Sequence, residues 1–297
     1  METRIRAPLD ELWRLTQSPD LHARWDLRFT RIQYLPRLDE YQPQRFLYAT
    51  RIGCGWAIEG AGETVGQRCG EHGERASALK FWSDDPKSLI REGAGYWRYV
   101  PADGSVRFFT SFDYRVRFGA LGQVIDTALF RPLIGWATAW SFDSLRLWLE
   151  KGLDPATSRE RSLIHLMARA ALAFVWIYQG TVPKLLTQNA DELAMLQQTG
   201  LSAPDSLVAI QVIGWAEVAF GLLILLRLRD RWPLVLTILL MLAATVSVAL
   251  SSPHYLTMAF NPISLNLLMV AVAAIEFLVS RDLPSASHCL RVPSEDR

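Results

Sequence analysis

The chain has little cysteine, with three in 297 residues. Cys54, Cys69 and Cys289 show neither the paired spacing of a zinc site nor the CxxC spacing of a redox motif. A sparse, odd number of thiols is typical of a reducing compartment. We therefore expect no metal site. Cys54 and Cys69 could face each other on neighbouring strands, but two unlinked thiols are the favoured interpretation.

An excess of charge of either sign is also absent, because 31 basic residues balance 30 acidic ones, for a net charge of +1. Residues 1–161 hold 23 basic and 21 acidic side chains, whereas residues 162–297 hold only 8 and 9. Neither half is basic enough for nucleic-acid binding, so no such partner is expected. The fall in charge density indicates a water-soluble domain followed by a domain that is not surrounded by water.

Charge is nearly missing from four long apolar runs in the second half. The runs are Ser162–Pro183, Leu207–Leu226, Trp232–Leu250 and Pro262–Ser280. Each has the roughly 20 residues that a helix needs to cross about 30 Å of hydrocarbon. The sequence therefore predicts a four-helix transmembrane domain at 162–283, with a linker at 153–161 and a disordered tail at 284–297.

Arginine is unevenly distributed over the segments that join these runs. Arg159–Arg161 precedes the first run, Arg227–Arg231 holds three arginines between the second and third, and Arg281 follows the fourth. The segment Ser251–Asn261 has no lysine or arginine. Basic residues stay on the cytoplasmic side of a membrane, and the charged N-terminal region lacks the apolar core of a signal peptide. We expect a multi-pass protein of the cytoplasmic (inner) membrane, with both termini in the cytoplasm.

The first half alternates aromatic and β-branched runs with glycine, proline and aspartate turns. Six strands are predicted at Phe29–Pro36, Arg45–Ile52, Trp56–Val65, Arg75–Trp82, Gly95–Pro101 and Ser105–Phe118. An extended segment at Glu2–Arg6 and two short helices precede them, the first at Leu9–Thr16 and the second opened by Pro19. A long helix at Leu121–Lys151 follows, with a kink at Pro132. This order predicts an α+β domain.

The long helix has an apolar stripe with a spacing of three or four residues, formed by Leu121, Ile125, Leu129, Leu133, Trp136 and Trp140. We expect the stripe to pack on the sheet and to enclose an apolar cavity. The candidate cavity residues are Trp25, Trp56, Trp82, Trp97, Phe112, Trp136 and Trp140. Alternatively, the tryptophans of this helix, together with Arg131, Arg146 and Lys151, could rest on a membrane surface.

Motifs near the N-terminus resemble a known superfamily. The segments Ile5-Arg6-Ala7-Pro8, Leu12-Trp13-Arg14-Leu15-Thr16 and His22-Ala23-Arg24-Trp25-Asp26, followed by strands and a terminal helix, resemble the SRPBCC superfamily. This is the START-like, polyketide-cyclase-like helix-grip fold. The resemblance implies a seven-stranded antiparallel sheet around a long C-terminal helix over residues 1–152, with a cavity for lipids, polyketides or other apolar ligands.

The second half resembles the DoxX-like family of four-helix membrane proteins. The matching pieces are His165-Leu166-Met167-Ala168-Arg169, Tyr178-Gln179-Gly180 with Val182-Pro183-Lys184, Gly214-Trp215-Ala216-Glu217, and Phe260-Asn261-Pro262 with Asn266. The resemblance implies an all-α four-helix transmembrane bundle. Some relatives are associated with quinone-linked sulfur oxidation, so a quinone is a possible cofactor, although the sequence identifies none.

Charged residues inside the apolar runs are candidates for a functional site, because each costs several kcal/mol unless it is paired or hydrated. Arg169 and Glu276 lie at similar depths from the arginine-rich ends and are predicted to pair. Glu217 lies near the middle of the second run, where Tyr178, Gln179 or Gln211 could hydrogen-bond to it. These groups either hold the helices together or form a polar-ligand or proton site, and both interpretations stay open.

Other polar residues carry weaker expectations. Lys184, Asn261 and Asn266 lie near the opposite ends of the runs and are expected to close loops or to extend towards water. His165 and His254 lie at opposite ends of a span about 30 Å long, so they cannot both bind one haem. His22 could be a general base, but a solvated surface histidine is the favoured interpretation.

Glycine-rich triplets occur at Gly53-Cys54-Gly55, Gly60-Ala61-Gly62 and Gly93-Ala94-Gly95. They stand between strand-like runs and are predicted to be turns, since a phosphate-binding loop would need a helix after it.

The patterns together predict a cytoplasmic domain that binds a lipid, isoprenoid or aromatic ligand, held at the membrane by a helical bundle. Membrane lipids and an apolar small molecule are the expected partners, and the transmembrane domain could form a homo-oligomer. One alternative is a quinone-linked oxidoreductase, or its accessory subunit, that uses the polar residues of the bundle. Another is a bundle that serves only as an anchor.

Overall fold

The computed structural model describes residues 1–37, 39, 42–51, 55–71, 73–259 and 261–291. The chain divides into two compact units, of which the first combines Met1–Ser158 with Pro284–Arg297 and the second is Arg159–Leu283. Ile52, Cys54, Phe260 and the last six residues of the predicted tail lie outside the described residues. The membrane-spanning unit is therefore an insertion between two parts of the first unit.

The first unit contains a seven-stranded antiparallel sheet, as the resemblance of its N-terminal motifs to the SRPBCC superfamily implies. The strands are β1 (Glu2–Ile5), β2 (Arg31–Tyr34), β3 (Arg45–Arg51), β4 (Ala57–Cys69), β5 (Arg75–Trp82), β6 (Ile90–Ala102) and β7 (Ser105–Val116). They lie in the order β1-β7-β6-β5-β4-β3-β2, and every neighbouring pair is antiparallel. Only the pairing of β1 with β7 joins strands that are distant in sequence, so short hairpin connections build most of the sheet.

Helices precede and follow the strands of the first unit. They are α1 (Leu9–Gln17), α2 (Pro19–Trp25), α3 (Gly119–Ile125) and α4 (Arg131–Lys151), and a π-helical turn at Asp126–Phe130 joins α3 to α4. Pro132 stands in the first turn of α4, where a proline is better tolerated than in a helix interior. The long helix thus changes from π to α winding at the predicted kink.

The hydrophobic core lies where α1, α2 and α4 meet one half of the sheet. Its buried members are Ile5, Leu12, Leu15, Trp25, Trp97, Tyr99, Val106, Phe108, Ala139, Phe142, Leu145 and Cys289. Tyr99 and Phe108 stand directly opposite each other on β6 and β7, with ring centroids 4.9 Å apart. Each large side chain that is fully removed from water contributes about 1.5–3 kcal/mol, so this cluster fixes the helices on the sheet.

The predicted apolar stripe of the long helix differs from this core. Leu121, Ile125, Leu129, Leu133 and Trp136 are exposed, and of the stripe only Trp140 is buried. The residues that α4 contributes to the core are instead Ala139, Phe142 and Leu145. Helical spacing identifies residues that share a side, but it does not specify which side faces the sheet.

The described part of the C-terminal segment also differs from the expected disorder. The backbone amide of Glu2 donates to the carbonyl of Leu290, and the amide of Leu290 donates to the carbonyl of Glu2, both at 2.8 Å. A 3₁₀ turn at Ala286–His288 precedes this bridge, and burial raises the pKa of Cys289 to about 11. The segment pairs with β1, which lies at the other end of the sequence, so local patterns could not show its order.

Among the described residues, four helices are long and apolar enough to cross a membrane: Pro155–Leu186, Ala203–Leu226, Trp232–Ser251 and Pro262–Val279. All of them lie in the second unit except the first four residues of the first helix. The first consists of α5 (Pro155–Gln179) and a π-helical segment at Gly180–Leu186, a short helix α6 (Ala190–Gln198) follows it, and the remaining three are α7, α8 and α9. Most of the predicted linker is helical, because α5 begins three residues after Gly152 ends α4 in a left-handed conformation with φ of 67°.

Candidate functional site

Aromatic rings lie over glycines on the helix-bearing face of the sheet. Phe46 stands opposite Gly62, and Tyr48 opposite Gly60, in the pairing of β3 with β4. A Cβ atom added to Gly62 would lie 2.4 Å from Cζ of Phe46, and one added to Gly60 would lie 2.3 Å from Cζ of Tyr48. Because directly opposite residues point to the same face, only glycine leaves room for these rings to lie across the neighbouring strand.

At β6 the ring of Phe81 lies over a glycine in the same way, whereas Phe112 approaches a glycine with its Cβ atom. Phe81 of β5 stands opposite Gly93, and Phe112 of β7 stands opposite Gly95. A Cβ atom on Gly93 would lie 2.4 Å from Cζ of Phe81, and one on Gly95 would lie 2.8 Å from Cβ of Phe112. Tyr114 pairs with Gly93 from the other side. We call Phe46, Tyr48, Phe81, Phe112 and Tyr114 the aromatic floor.

The aromatic floor shares a face with the hydrophobic core but is not covered by it. Along β6, Gly93 and Gly95 alternate onto the same side as the core residue Trp97. The core cluster under the helices contains no member of the floor. Phe46 is buried, whereas the other four rings of the floor are half-buried. The sheet therefore presents a flat apolar surface next to its core.

A cleft of about 280 Å³ adjoins one end of this floor. Its lining residues are Met1, Thr110, Ser111, Phe112, Asp113, Tyr114, Arg131, Ile134 and Gly135. The hydroxyl of Tyr114 donates to Oδ1 of Asp126 at 2.6 Å, and Arg131 donates to Oδ2 of Asp126 at 2.8 Å. Burial and the Asp126 carboxylate raise the pKa of Tyr114 to about 12. The cleft thus combines aromatic walls with a guanidinium and a neutral phenol.

The seven predicted cavity residues do not form one site, although Trp25 and Trp97 contact each other in the core with ring centroids 6.1 Å apart. Trp25, Trp97 and Trp140 are buried in the protein interior, Trp56 and Trp136 are exposed, and Trp82 is half-buried. Of the seven, Phe112 alone lines the cleft.

The sequence contains a signal for the floor in two of the glycine triplets that are predicted to be turns. The triplets Gly60-Ala61-Gly62 and Gly93-Ala94-Gly95 lie inside β4 and β6, so the predicted turns at these two places are wrong. Glycines two residues apart in a strand point to one face, and aromatic residues at matching positions of the neighbouring strands would have located the floor. Gly53 and Cys54 of the third triplet lie outside the described residues.

His22 is buried, contrary to the predicted solvated position. Its Nε2 lies 3.0 Å from Oδ2 of Asp26, and its ring stacks on Trp25. Asp26 also accepts hydrogen bonds from Nε and Nη2 of Arg28, at 2.9 and 2.6 Å. Burial by itself would raise the pKa of Asp26, but Arg28 and His22 outweigh it, so this pKa lies well below its usual range. The three side chains satisfy one another's hydrogen-bonding groups and attach α2 to the loop that follows it.

Burial also lowers the pKa of His22, and Asp26 only partly opposes this effect. As the pH falls below about 6.5, the ordinary pKa of histidine, the unfolded state takes up a proton before the folded state does. We therefore expect the first unit to lose stability from about pH 6.5 downward. In His22→Gln the side-chain amide can still donate to Asp26, and this loss should be smaller.

Thermal unfolding of the full-length protein between pH 7 and pH 5, followed by near-ultraviolet circular dichroism, would measure the effect. The variant His254→Gln, which changes an exposed histidine, is the matched control. If the stability of His22→Gln fell with pH as steeply as that of the wild type, His22 would not be the cause of the loss.

Two polar clusters lie within the membrane-spanning unit. In the first, Nε of Arg169 donates to Oε1 of Glu276 at 3.0 Å, and both side chains are fully buried. The predicted pair is thus present. Nδ1 of His165 lies 2.7 Å from the same carboxylate oxygen. The other oxygen of Glu276 has no hydrogen-bond partner among the described residues.

Arg169 also closes the end of α7. Its Nη1 donates to the carbonyls of Ile224 and Arg227 at 3.3 and 2.9 Å, and its Nη2 donates to the carbonyl of Asp230 at 2.6 Å. The last carbonyls of a helix have no partner within that helix, and a cation is favourable at this end. One guanidinium therefore joins α5, α7 and α9.

The second cluster centres on Lys184, which was expected to close a loop or to extend towards water. Nζ of Lys184 lies 3.0 Å from Oε2 of Glu217 and 3.1 Å from Oε2 of Glu192. No hydrogen bond joins Glu217 to Tyr178, Gln179 or Gln211 within the described ranges. Tyr178 and Gln211 are exposed, and Gln179 is half-buried.

The π-helical segment and two glycines position this second cluster. A Cβ atom on Gly180 would lie 2.4 Å from the carbonyl oxygen of Gly214, so the two helices are in backbone contact there. Lys184 lies in the π-helical segment, a form of helix that is frequent at functional sites. Within the described parts of the chain, no group of three or more histidine, cysteine or acidic side chains could hold a metal ion.

Two sequence comparisons found proteins that are similar to this chain. A sequence model of the DoxX-like family matches residues 173–274. An uncharacterized membrane protein, YndG of Bacillus subtilis (strain 168), is 46% identical over 183 residues, which are 61% of this chain and 67% of YndG.

Among solved structures, the similar ones include a STAR-related lipid transfer protein from Xanthomonas axonopodis and Ara h 8.0201. The first is 16% identical, with a TM-score of 0.36, and the match covers 50% of this chain and 84% of that one. The second is 11% identical, with a TM-score of 0.32, and the match covers 46% of this chain and 94% of that one.

The fold, the apolar helices and the family match define a multi-pass membrane protein with a DoxX-like domain. The chain belongs to the same family as the membrane protein YndG.

Proposed function

We propose that this protein is a membrane-held receptor for an apolar or amphipathic small molecule, which lies on the aromatic floor of the first unit. The observation that carries this proposal is the row of half-buried rings between glycines, next to a core that does not cover them. Leaving such rings partly in water forgoes the burial that stabilises other aromatic side chains. An apolar ligand would recover that free energy on binding.

The cleft beside the floor supports an amphipathic rather than a purely apolar ligand. At about 280 Å³ it is close to the lower limit of small-molecule sites. Arg131 at one of its walls is largely exposed and uses Nη2 for Asp126, so its remaining N–H groups could bind the polar end of a ligand, such as a carboxylate. The aromatic floor would hold the apolar part.

Two features support the proposal that the first unit lies on the cytoplasmic side of the membrane. An even number of spans returns the chain to the side from which it entered, which agrees with the packing of residues 284–291 in the same unit as residues 1–158. The arginines at Arg159–Arg161 and Arg227–Arg231 support the cytoplasmic side. A ligand reaching the floor would therefore come from the cytoplasm or the inner leaflet.

Binding of a dansylated fatty acid to the full-length protein in phosphatidylcholine nanodiscs tests the proposal, with empty nanodiscs subtracted. We expect saturable binding, and we expect Phe81→Ala to weaken it about fivefold, because a half-buried phenyl ring contributes about 1 kcal/mol of contact. Leu47→Ala is the matched control. Leu47 is exposed and lies between the floor residues Phe46 and Tyr48, on the other face of β3.

Absence of saturable binding by the wild type would refute the proposal. Equal weakening by Leu47→Ala would remove the floor as the site. A quinone-linked activity remains a hypothesis from the sequence, and the Lys184–Glu217 pair would be its place.

A further inference from the structure

The stripe on the long helix is an extended apolar surface outside the core. Leu121, Val124, Leu129 and Leu133 are exposed to 66%, 64%, 63% and 54%. Phe118, Ile125 and Trp136 are exposed as well. Single exposed apolar residues are ordinary in proteins, but a contiguous group of this kind marks an interaction surface.

Little of this segment packs against the rest of the first unit. In α3 only Gly122 is buried, and in the π-helical turn after it only Asp126 is buried. The segment continues directly into α4, so its helical form needs no separate nucleus, but its apolar side is left uncovered. Phe118, just before α3, has a φ of 66°, a strained conformation for a bulky residue. The exposed apolar side chains of this segment thus have no cover within the first unit.

The charges of the segment suit a lipid surface. Residues 117–136 contain two arginines, Arg117 and Arg131, and a single acidic residue, Asp126. Asp126 is buried and bonded to Arg131 and Tyr114, so no exposed carboxylate of this segment would repel phosphate headgroups. Leucine, isoleucine, phenylalanine and tryptophan beside arginine form the composition of helices that lie in the membrane interface.

We propose that the exposed stripe, Phe118 to Trp136, lies in the interfacial layer of the bilayer that the second unit spans. Trp136, at the end of the stripe, lies about 22 Å along α4 from Lys151, and only residues 152–154 then separate α4 from the helix that begins the first span. Covalent linkage of this kind gives a high effective concentration of lipid at the stripe. The proposal does not depend on the ligand of the aromatic floor.

The stripe also places the cleft next to lipid. Arg131, Ile134 and Gly135 line the cleft, while Leu133 and Trp136 of the same helical turns belong to the stripe. A lipid-derived molecule could therefore pass along this helix without crossing open water.

Site-directed spin labelling of the full-length protein tests the proposal, in nanodiscs of phosphatidylcholine and phosphatidylglycerol. Single cysteines for labelling are placed at Leu129 and, as the matched control in the same helical segment, at Gln123. Cys54 and Cys69 are replaced by serine, and the buried Cys289 is kept. Oxygen partitions into lipid and a neutral nickel chelate into water, so their relaxation effects report the surroundings of each label.

We expect the oxygen-to-nickel accessibility ratio to be several-fold higher at Leu129 than at the exposed polar residue Gln123. Equal ratios, with high nickel accessibility at both positions, would show that the stripe faces water and would overturn the proposal. Low accessibility to both reagents at Leu129 would show a protein contact instead, and spin–spin broadening would then identify a second copy. Normal fatty-acid binding together with a water-exposed label would overturn only this inference, not the proposed function.

Discussion

Replacing Arg169 with methionine should lower the free energy of unfolding of the membrane unit by about 3–5 kcal/mol, the typical cost of breaking a buried ion pair. The change leaves the fully buried carboxylate of Glu276 with His165 as its remaining partner. It also leaves the carbonyls of Ile224, Arg227 and Asp230 without the donor that closes α7. A methionine side chain fills a similar volume, so the loss is one of hydrogen bonds and charge rather than of packing.

Unfolding of the detergent-solubilised protein by increasing fractions of a denaturing detergent would measure this effect. Arg281→Met is the matched control, since Arg281 is exposed and its pairing with Asp282 should contribute at most about 1 kcal/mol. The double variant Arg169→Met with Glu276→Leu removes both charges, and we expect it to be more stable than Arg169→Met alone. If Arg169→Met unfolded like the control, the cluster would contribute little to the bundle.

Replacing Asp143 with alanine should release the C-terminal segment and destabilise the first unit by about 2–3 kcal/mol, because a charged hydrogen bond contributes about 1.5–3 kcal/mol. Asp143 is fully buried on α4 and accepts from the amide of Ser285 at 2.7 Å and from Nδ1 of His288 at 2.9 Å. It also accepts from Nε of Arg146 at 2.7 Å, but Arg146 retains Glu150 in the variant. The principal loss is therefore the attachment of the tail.

Hydrogen exchange of the Leu290 and Glu2 amides would measure the release, because these two amides form the bridge between the tail and β1. We expect both to exchange faster in Asp143→Ala than in the wild type. Asp103→Ala, in the exposed turn between β6 and β7, should leave them protected. Unchanged protection in Asp143→Ala would mean that the burial of Cys289 and the β1 bridge suffice to hold the segment.

Sequence alone determined the features that depend on local pattern. The four spans follow from run length and missing charge, because backbone polar groups in lipid must be satisfied within each helix. The strands of the first unit follow from alternation and turn residues, and all six predicted strands are present, although β6 begins five residues before Gly95 and β4 ends four residues after Val65. The Arg169–Glu276 pair followed from matched depth in the membrane, which is a one-dimensional property that a sequence retains.

Only the tertiary structure decided which surfaces meet. The stripe of the long helix has the expected period but faces away from the sheet, because period does not set the rotation of a helix. The glycines at Gly60–Gly62 and Gly93–Gly95 are ordinary turn signals until the partner strands bring rings over them. The pairing of the tail with β1 and the ion pair of Lys184 with Glu217 each join residues that are far apart in the chain. Such contacts depend on packing and charge in three dimensions rather than on neighbouring residues.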